Sequence, residues 1–274
     1  MTEPVHGLTN EQIAGIIGMV RQVHGFDFSD YSKASLRRRI SRILLIKKLS
    51  FDDLKKALSN DARFFQHFLE EITVNVTEMF RDPSFYKALS SEVAPQLVKY
   101  PKLNIWSAGC SSGEEAYSLS ILMSRFGLKD RSTVYGTDIN TIMLNDARKG
   151  VYSARCMKVN TENYQQCELG GVLMDYFTPV GDNSAIADAV KLNTIFSVHN
   201  LVDGPAFNEF QLISCRNVFI YFETALQEKI LDLFYRSLSH NGFLCLGSKE
   251  TIRSDYFKRK FKTVNPKENI YQKI

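Results

Sequence analysis

The chain has 274 residues, of which 44% are hydrophobic, 12% aromatic and 23% charged, which excludes a disordered or fibrous chain and supplies apolar material for at least one sizeable core. Thirty-four Lys and Arg against thirty Asp and Glu leave a formal charge of +4, too mild to imply wholesale nucleic-acid binding. Cys110, Cys156, Cys167, Cys215 and Cys245 form no CxxC pair and have no histidine at ligand spacing, so neither a disulfide framework nor a metal site is expected.

The opening MTEPVHGLTNEQ lacks a basic stretch followed by an apolar one, and no apolar run approaches the ~20 residues of a membrane span. A cytoplasmic protein with no membrane insertion is expected. The length suits two domains, a helical one over 1–80 and an α/β one over 81–274.

Residues 1–80 read as helices only. Thr9 and Gln12 have capping-box spacing, and Ile13, Ile16, Ile17 and Val20 recur as one face of a helix requires. A second helix is expected from Ser32 to Lys48 with Leu36, Ile40, Ile43 and Leu44 on its apolar stripe. A third begins near Ser50 with Leu54 and Leu58 inward, and a fourth carries Phe64, Phe65, Phe68, Leu69 and Ile72. Asp82-Pro83 then reads as a cap followed by proline at the first helical position.

Beyond Pro83, short apolar strands alternate with helical patterns. Strands are expected at Leu103 to Ser107, Thr133 to Thr137, Phe210 to Cys215 and Phe243 to Gly247, with helices starting near Gly113, Asn140 and Glu223. That rhythm implies a mostly parallel sheet covered on both faces, the Rossmann-like α/β class. The stretch 152–196 breaks it, with one short helix and antiparallel strands at Val172 to Thr178 and Ala187 to Ile195, and reads as an inserted β-subdomain. Phe261 to Val264 and Asn269 to Ile274 read as a closing strand pair.

Four segments carry chemistry. Leu103-Asn104-Ile105-Trp106-Ser107-Ala108-Gly109-Cys110-Ser111-Ser112-Gly113-Glu114-Glu115 is a buried strand entering a small-residue turn and a helix, where backbone can approach a ligand closely. It matches neither G-x-G-x-x-G nor G-K-[ST], so dinucleotide and nucleoside-triphosphate sites are not favoured. Alone it is equally a tight turn. Some twenty-five residues on, Val134-Tyr135-Gly136-Thr137-Asp138-Ile139-Asn140 ends a strand in an acid, placed where ribose hydroxyls are met in doubly wound sheets. Asp138 or Asn140 could instead serve only as a helix cap. Together the two segments outline an adenosine pocket. Thr73 to Asp82 lies between the two expected domains, where clefts form, and Phe210 to Phe222 is a strand leaving through Arg216, Asn217 and Tyr221. A structural ion pair for Arg81 or Arg216, and a core position for Tyr221, are the competing readings.

In this order the segments resemble the CheR-type chemotaxis receptor methyltransferases, through N-x-T-x-x-F-R-D, W-S-A-G-C-S-S-G-E-E-x-Y-S, T-D-I, H-N-L and C-R-N-V-x-I-Y-F. The resemblance covers nearly the whole chain. It implies a class I S-adenosylmethionine-dependent methyltransferase domain behind a small helical bundle, and transfer of a methyl group to glutamate carboxylates of chemoreceptors, leaving S-adenosylhomocysteine. It further implies that Asn75, Thr77 and Arg81 reach the cofactor, that Glu115 contacts it from the first loop and that Asp138 holds the ribose. Asn200 and Leu201 would flank the adenine, Arg216 and Asn217 would line the pocket, and Arg81 and Tyr221 would serve the methyl-transfer region. Departures from the family are Gln211 in place of its usual Asp, Gly247-Ser248-Lys249-Glu250 in place of G-H-S-E, and His240-Asn241-Gly242 in place of a P-G-G-like turn.

The implied chemistry needs no base, because a glutamate side chain, which ordinarily titrates at about 4.3, is already an anion at neutral pH. Positioning should dominate. The partner is suggested by the second helix, where Lys33, Arg37, Arg38, Arg39, Arg42, Lys47 and Lys48 occur with no acid between Tyr31 and Lys48. At 3.6 residues per turn Arg38 and Arg42 lie opposite the apolar stripe, with Arg37 and Arg39 flanking it. This ridge suits an acidic helical partner, which in the family is the receptor's cytoplasmic methylation region; nucleic acid is not expected, and a monomer is. A methyltransferase acting on another acidic protein or a small molecule, and a signalling module that binds the cofactor without catalysis, are the alternatives.

Overall fold

The computed structural model describes residues 8–73 and 76–274. The chain divides into two compact units, Met1–Val74 with Ile220–Lys229, and Asn75–Phe219 with Ile230–Ile274. The first unit ends at Val74 rather than at residue 80, because Met79 and Phe80 are wholly buried in the core of the second unit.

The first unit contains α1 (Asn10–His24), α2 (Lys33–Lys47), α3 (Phe51–Asn60) and α4 (Ala62–Ile72). Thr9 and Gln12 close a capping box on α1, Ser50 and Asp53 close another on α3, and the Asp61 carboxylate accepts the N–H groups of Arg63 and Phe64 to start α4. Each helix turns its apolar stripe inward. Ile13, Ile16, Ile17 and Val20 of α1 pack with Leu36, Ile40, Ile43 and Leu44 of α2, Leu54 and Leu58 of α3, and Phe65, Phe68, Leu69 and Ile72 of α4. Residues 220–229 join this unit through backbone: Ser32 N–H donates to the Tyr221 carbonyl (2.8 Å) and Glu223 N–H to the Asp30 carbonyl (2.9 Å).

The second unit opens with α5 (Pro83–Ala88), a π-turn over Leu89–Val93 and α6 (Ala94–Leu97). Pro95 lies just beyond the π-turn; lacking an N–H, it could not have made the regular i→i−4 bond. There follow β1 (Leu103–Ala108), α7 (Glu114–Arg125), β2 (Ser132–Asp138), α8 (Thr141–Lys149), β3 (Val151–Ser153), α9 (Ala154–Gln166), β4 (Phe177–Val180), β5 (Asn183–Ile186), α10 (Asp188–Lys191), β6 (Thr194–Val198) and β7 (Phe210–Cys215). The chain closes with α11 (Thr224–Ser237), β8 (Leu238–Leu246), α12 (Asp255–Lys258), β9 (Phe261–Asn265) and β10 (Ile270–Lys273).

Seven strands form one sheet in the order β6-β2-β1-β7-β8-β10-β9. The first five are parallel, and β10 runs antiparallel to both β8 and β9. Burial on both faces is why β7 reads Phe-Gln-Leu-Ile-Ser-Cys with every residue buried rather than alternating. The strand order reverses at β1, which sits between β2 and β7, so the crevice outside its carboxyl end is the place for a ligand. Trp106 in β1 is fully buried, edge-on to Phe207, Phe234 and His199, and its indole N–H donates to Thr137 Oγ1 (2.8 Å).

The strands β3, β5 and β4 form a small separate antiparallel sheet. Within this region two expectations are corrected. Val172 to Thr178 is mostly a 3-10 turn (Leu173–Tyr176), because Leu173 and Phe177, four apart, are buried while Val172 and Met174 face solvent. Ala187 to Ile195 is not an antiparallel strand: Asp188 opens the short α10, Val190 packs inward, and Thr194 onward enters the main sheet as β6, parallel to β2. The helix expected to be short is the 13-residue α9, whose inner face is only Met157, Asn160 and Tyr164 and so leaves a weak apolar pattern. The strand expected at Phe243 begins at Leu238, with a register shift before the ladder resumes at Phe243.

No helix among the described residues is long and apolar enough to cross a membrane. Among them, too, no three His, Cys, Asp or Glu side chains gather as metal ligands would. Cys110, Cys167, Cys215 and Cys245 are buried and Cys156 is exposed.

Candidate functional site

The loop leaving β1 is bound to the end of β2. Gly109 and Cys110 N–H groups donate to the Thr137 carbonyl (2.7 and 2.9 Å), and Ser111 N–H donates to Asp138 Oδ2 (2.9 Å). Asn140 N–H donates to Asp138 Oδ1 (2.9 Å), while Asn140 Oδ1 caps α8. Asp138 thus fixes the first loop as well as the start of α8, and each carboxylate oxygen keeps a further acceptor site. Burial pushes its carboxyl above the usual range, against the backbone N–H groups of Asn140, Ser111 and Ile139 that favour the anion. The turn demands glycine at Gly109, where φ is +77° and a Cβ would stand 2.6 Å from Val218 Cγ2.

The second element is the segment carrying Arg81. Phe80 and Asp82, on either side of it, both hold left-handed backbone (φ 54° and 60°), a conformation that non-glycine residues keep only when their surroundings impose it. The surroundings are specific. Met79 N–H donates to Asn160 Oδ1 (3.0 Å), Phe80 N–H to Ser118 Oγ (2.9 Å), and Asn163 Nδ2 to the Met79 carbonyl (3.1 Å). On the other side Arg216 Nη2 donates to Asp82 Oδ2 (2.7 Å) and Nη1 to the Arg81 carbonyl (3.3 Å). Asp82 therefore makes no cap to α5, contrary to the sequence expectation; its carboxylate is engaged by Arg216.

Arg216 is the hub of this network. Its side chain is 3% exposed, it lies 3.6 Å from Glu115 Oε2, and its guanidinium sits 3.9 Å from the centre of the Phe85 ring. Glu115 also accepts from Ser107 Oγ (2.9 Å). The ion pair that the sequence reading set against a ligand role for Arg216 is present, and it ties together β1, α7, β7 and the Arg81 segment. Arg81 itself is half-buried, with one guanidinium N–H on the Val76 carbonyl (3.0 Å).

Asn217 has left-handed backbone (φ 63°), and its N–H donates to Glu250 Oε2 (2.9 Å), which also accepts Gly247 N–H (2.6 Å). The role of Glu250 was missed by sequence reasoning, in which Gly247-Ser248-Lys249-Glu250 stands only as a departure from the family. Ser248 and Lys249 face solvent and Glu250 is buried, so the edge near Asn217 is built by the glutamate. A Gly-x-x-Glu spacing directly after a strand was the available signal. Asn200 Oδ1 accepts the Val202 N–H (3.0 Å), which shapes the turn after β6; Leu201 is half-buried. Thr77 is half-buried, Asn75 lies outside the described residues, and Tyr221 belongs to the first unit.

Glu114 opens α7 but is buried rather than a solvated helix-end charge. Burial raises its pKa to about 7, opposed by Ser112 Oγ, 2.8 Å from Oε2. In the first unit, Arg38 and Arg42 are exposed as the helical geometry requires, and Arg42 makes only a loose pair with Glu71 (3.7 Å). Arg37 and Arg39 are half-buried on the flanks, Arg37 hydrogen-bonding Asn10 Oδ1.

The residues fit an adenosyl cofactor. Buried polar atoms without a protein partner, Ser111 Oγ, Asn140 Nδ2 and Arg216 Nε, follow the carboxyl ends of three adjacent strands, β1, β2 and β7. Comparison with known proteins agrees. Residues 11–73 match the family model described as CheR methyltransferase, all-alpha domain, and residues 75–270 match CheR methyltransferase, SAM binding domain. A Pseudomonas putida protein named methyltransferase Cher3 is 37% identical over 97% of both chains. A chemotaxis protein methyltransferase of Listeria monocytogenes is 32% identical over 85% of this chain and 87% of its own. One of Borreliella burgdorferi is 27% identical over 90% of each.

Proposed function

This chain belongs to the CheR family of S-adenosylmethionine-dependent methyltransferases, and we propose that its acceptors are glutamate side chains in the cytoplasmic methylation region of chemoreceptors, esterified in chemotaxis adaptation. The observation that carries the reading is the Arg81 segment, held in a strained conformation beside the strand-end loop by a buried arginine. So firmly fixed a segment suits a reaction in which positioning is the whole task.

When bound, the cofactor supplies a methyl group on a sulfonium sulfur, and its passage to a carboxylate oxygen requires no proton transfer. Asp138 would hold the ribose through its remaining acceptor sites, with Glu115 and Asn217 lining the pocket and Asn200 and Leu201 beside the adenine. Thr77, and Asn75 next to it, would reach the cofactor from the segment before Arg81. Arg216 would act by fixing the backbone at Arg81 and Asp82. Arg81 and Tyr221 are donors that would orient the substrate carboxylate or the cofactor's own charged end. Arg81 is assigned mainly to orientation, since extra stabilisation of the substrate anion would slow the step. The exposed cations Arg38 and Arg42, flanked by Arg37 and Arg39, would receive the acidic receptor helices.

The test is methyl transfer from labelled cofactor to a purified chemoreceptor cytoplasmic fragment, read as base-labile ester on glutamate. Arg38→Glu with Arg42→Glu should raise KM for the fragment and leave S-adenosylhomocysteine affinity unchanged, and the wild-type KM should rise with salt. Absence of ester on the fragment, from protein that binds the cofactor, would refute the assignment of substrate.

A further inference from the structure

The solvent face of α2 is not uniformly charged. Leu45 is 70% exposed and Ile46 55% exposed, in the last turn of the same helix that presents Arg38 and Arg42. Single exposed aliphatics are ordinary on a protein surface, but these two are adjacent and in register with the cations. At 3.6 residues per turn, Arg38, Arg42 and Leu45 fall within about 60° of arc, opposite the buried Leu36, Ile40, Ile43 and Leu44, and Ile46 flanks them. Leu45 lies about 10 Å along the axis from Arg38, two turns away. Lys47 and Lys48 follow at the helix end, both exposed, and Lys48 holds left-handed backbone (φ 52°) where glycine is the favoured residue.

We propose that this face is a two-part docking surface, in which Arg38 and Arg42 take acidic side chains and Leu45 with Ile46 forms an apolar anchor. Its occupant is a helix of the receptor substrate that carries an aliphatic residue about two turns from an acidic one. The inference rests on the receptor reading above and adds to it what the partner must look like. Charge complementarity selects an acidic partner: α2 itself contains no acidic residue, and the pair that Arg42 makes with Glu71 is loose (3.7 Å) and exposed. The apolar turn then sets the register: charges alone would let an acidic helix slide along the ridge, whereas one aliphatic contact at a fixed distance from the cations allows a single alignment. Register decides which stretch of a helical partner this face holds.

The experiment is binding of a chemoreceptor cytoplasmic fragment to the full chain loaded with S-adenosylhomocysteine, by calorimetry, for wild type, Leu45→Gln with Ile46→Gln, and Arg38→Glu with Arg42→Glu. Glutamine keeps the helix, and both positions are exposed, so an unchanged circular dichroism spectrum confirms folding. The expected result is an affinity about tenfold weaker for the Leu45/Ile46 variant, with a less negative heat-capacity change and an unchanged salt dependence. The arginine variant should instead lose the salt dependence. Unchanged affinity in the Leu45/Ile46 variant would overturn the anchor while leaving receptor methylation standing. No binding of the fragment to wild type would overturn it as well, and methyl-ester formation in the same samples reports separately on the substrate assignment. Self-association of wild type that the Leu45/Ile46 change abolishes, with fragment binding intact, would replace the receptor helix with a second copy of the chain and overturn the proposal.

Discussion

Asp82→Asn isolates one charge at the point where Arg81 is held. Asparagine tolerates the left-handed backbone that Asp82 adopts (φ 60°), so shape is kept while the carboxylate is lost. Arg216, 3% exposed, would lose its partner at 2.7 Å and retain only Glu115 at 3.6 Å and the Phe85 ring at 3.9 Å. Removing one member of a fully buried pair costs about 3 to 5 kcal/mol. The Asp82 side chain is 36% exposed and Glu115 remains, so the expected cost is about 2 kcal/mol. Urea unfolding followed by fluorescence of Trp106, which lies in the same unit, should show a lower midpoint at unchanged slope. The double variant with Arg216→Met should then be destabilised by less than the two single changes summed, with a coupling of the same size. Affinity for S-adenosylhomocysteine should fall in parallel. A variant as stable as wild type would show that the pair does not hold this junction, and the account of Arg216 as the group that positions Arg81 would fail.

Glu114 has a folded-state pKa raised to about 7 by burial. The folded protein therefore binds the extra proton, the stabilising contribution is complete below the unfolded value near 4.5, and it is lost as pH rises through 7. Glu114→Gln should gain stability over wild type by about 3 kcal/mol between pH 4 and pH 8 in thermal melts; a pH-independent difference would count against the buried carboxyl. Gly109→Ala should cost about 3 kcal/mol, part from its left-handed backbone and part from the clash with Val218, and Val218→Ala should recover only the second part. No recovery in urea titrations would put the whole cost on the backbone. Asp138→Ala removes the acceptor of two loop N–H groups and the proposed ribose contact, and should weaken S-adenosylhomocysteine binding about tenfold or more by calorimetry. Unchanged affinity would remove Asp138 from the cofactor site.

What could be read from the sequence follows the reach of each interaction. The cap at Thr9, the start of α3 near Ser50 and the stripe Ile13, Ile16, Ile17, Val20 are settled within a turn or two of helix, and all are found as expected. So are β1, β2 and β7, short strands buried along most of their length between turn-forming residues. Failures come where an element is half-exposed or its partner is distant in the chain. The edge strand β6 leaves Ile195 and Val198 outside, and α9 buries a polar Asn160 because that side chain serves Met79, 81 residues away. Asp82 looks like a cap until Arg216, 134 residues on, is beside it, and Glu250 declares itself only when Asn217 and Gly247 are adjacent. Arg216 and Glu115, which the resemblance assigned to one pocket, do lie 3.6 Å apart.

All five cysteines fall in the second unit, and neither segment of the first contains one. Burial pushes the Cys110, Cys215 and Cys245 thiols far up and Cys167 to about 12, while Cys156 is exposed at the start of α9. A thiol reagent therefore meets one reactive group on the folded chain, and every later modification records an opening of the sheet unit alone. The molecule carries its own clock for that half, and the helical half, without a cysteine, leaves no mark on it.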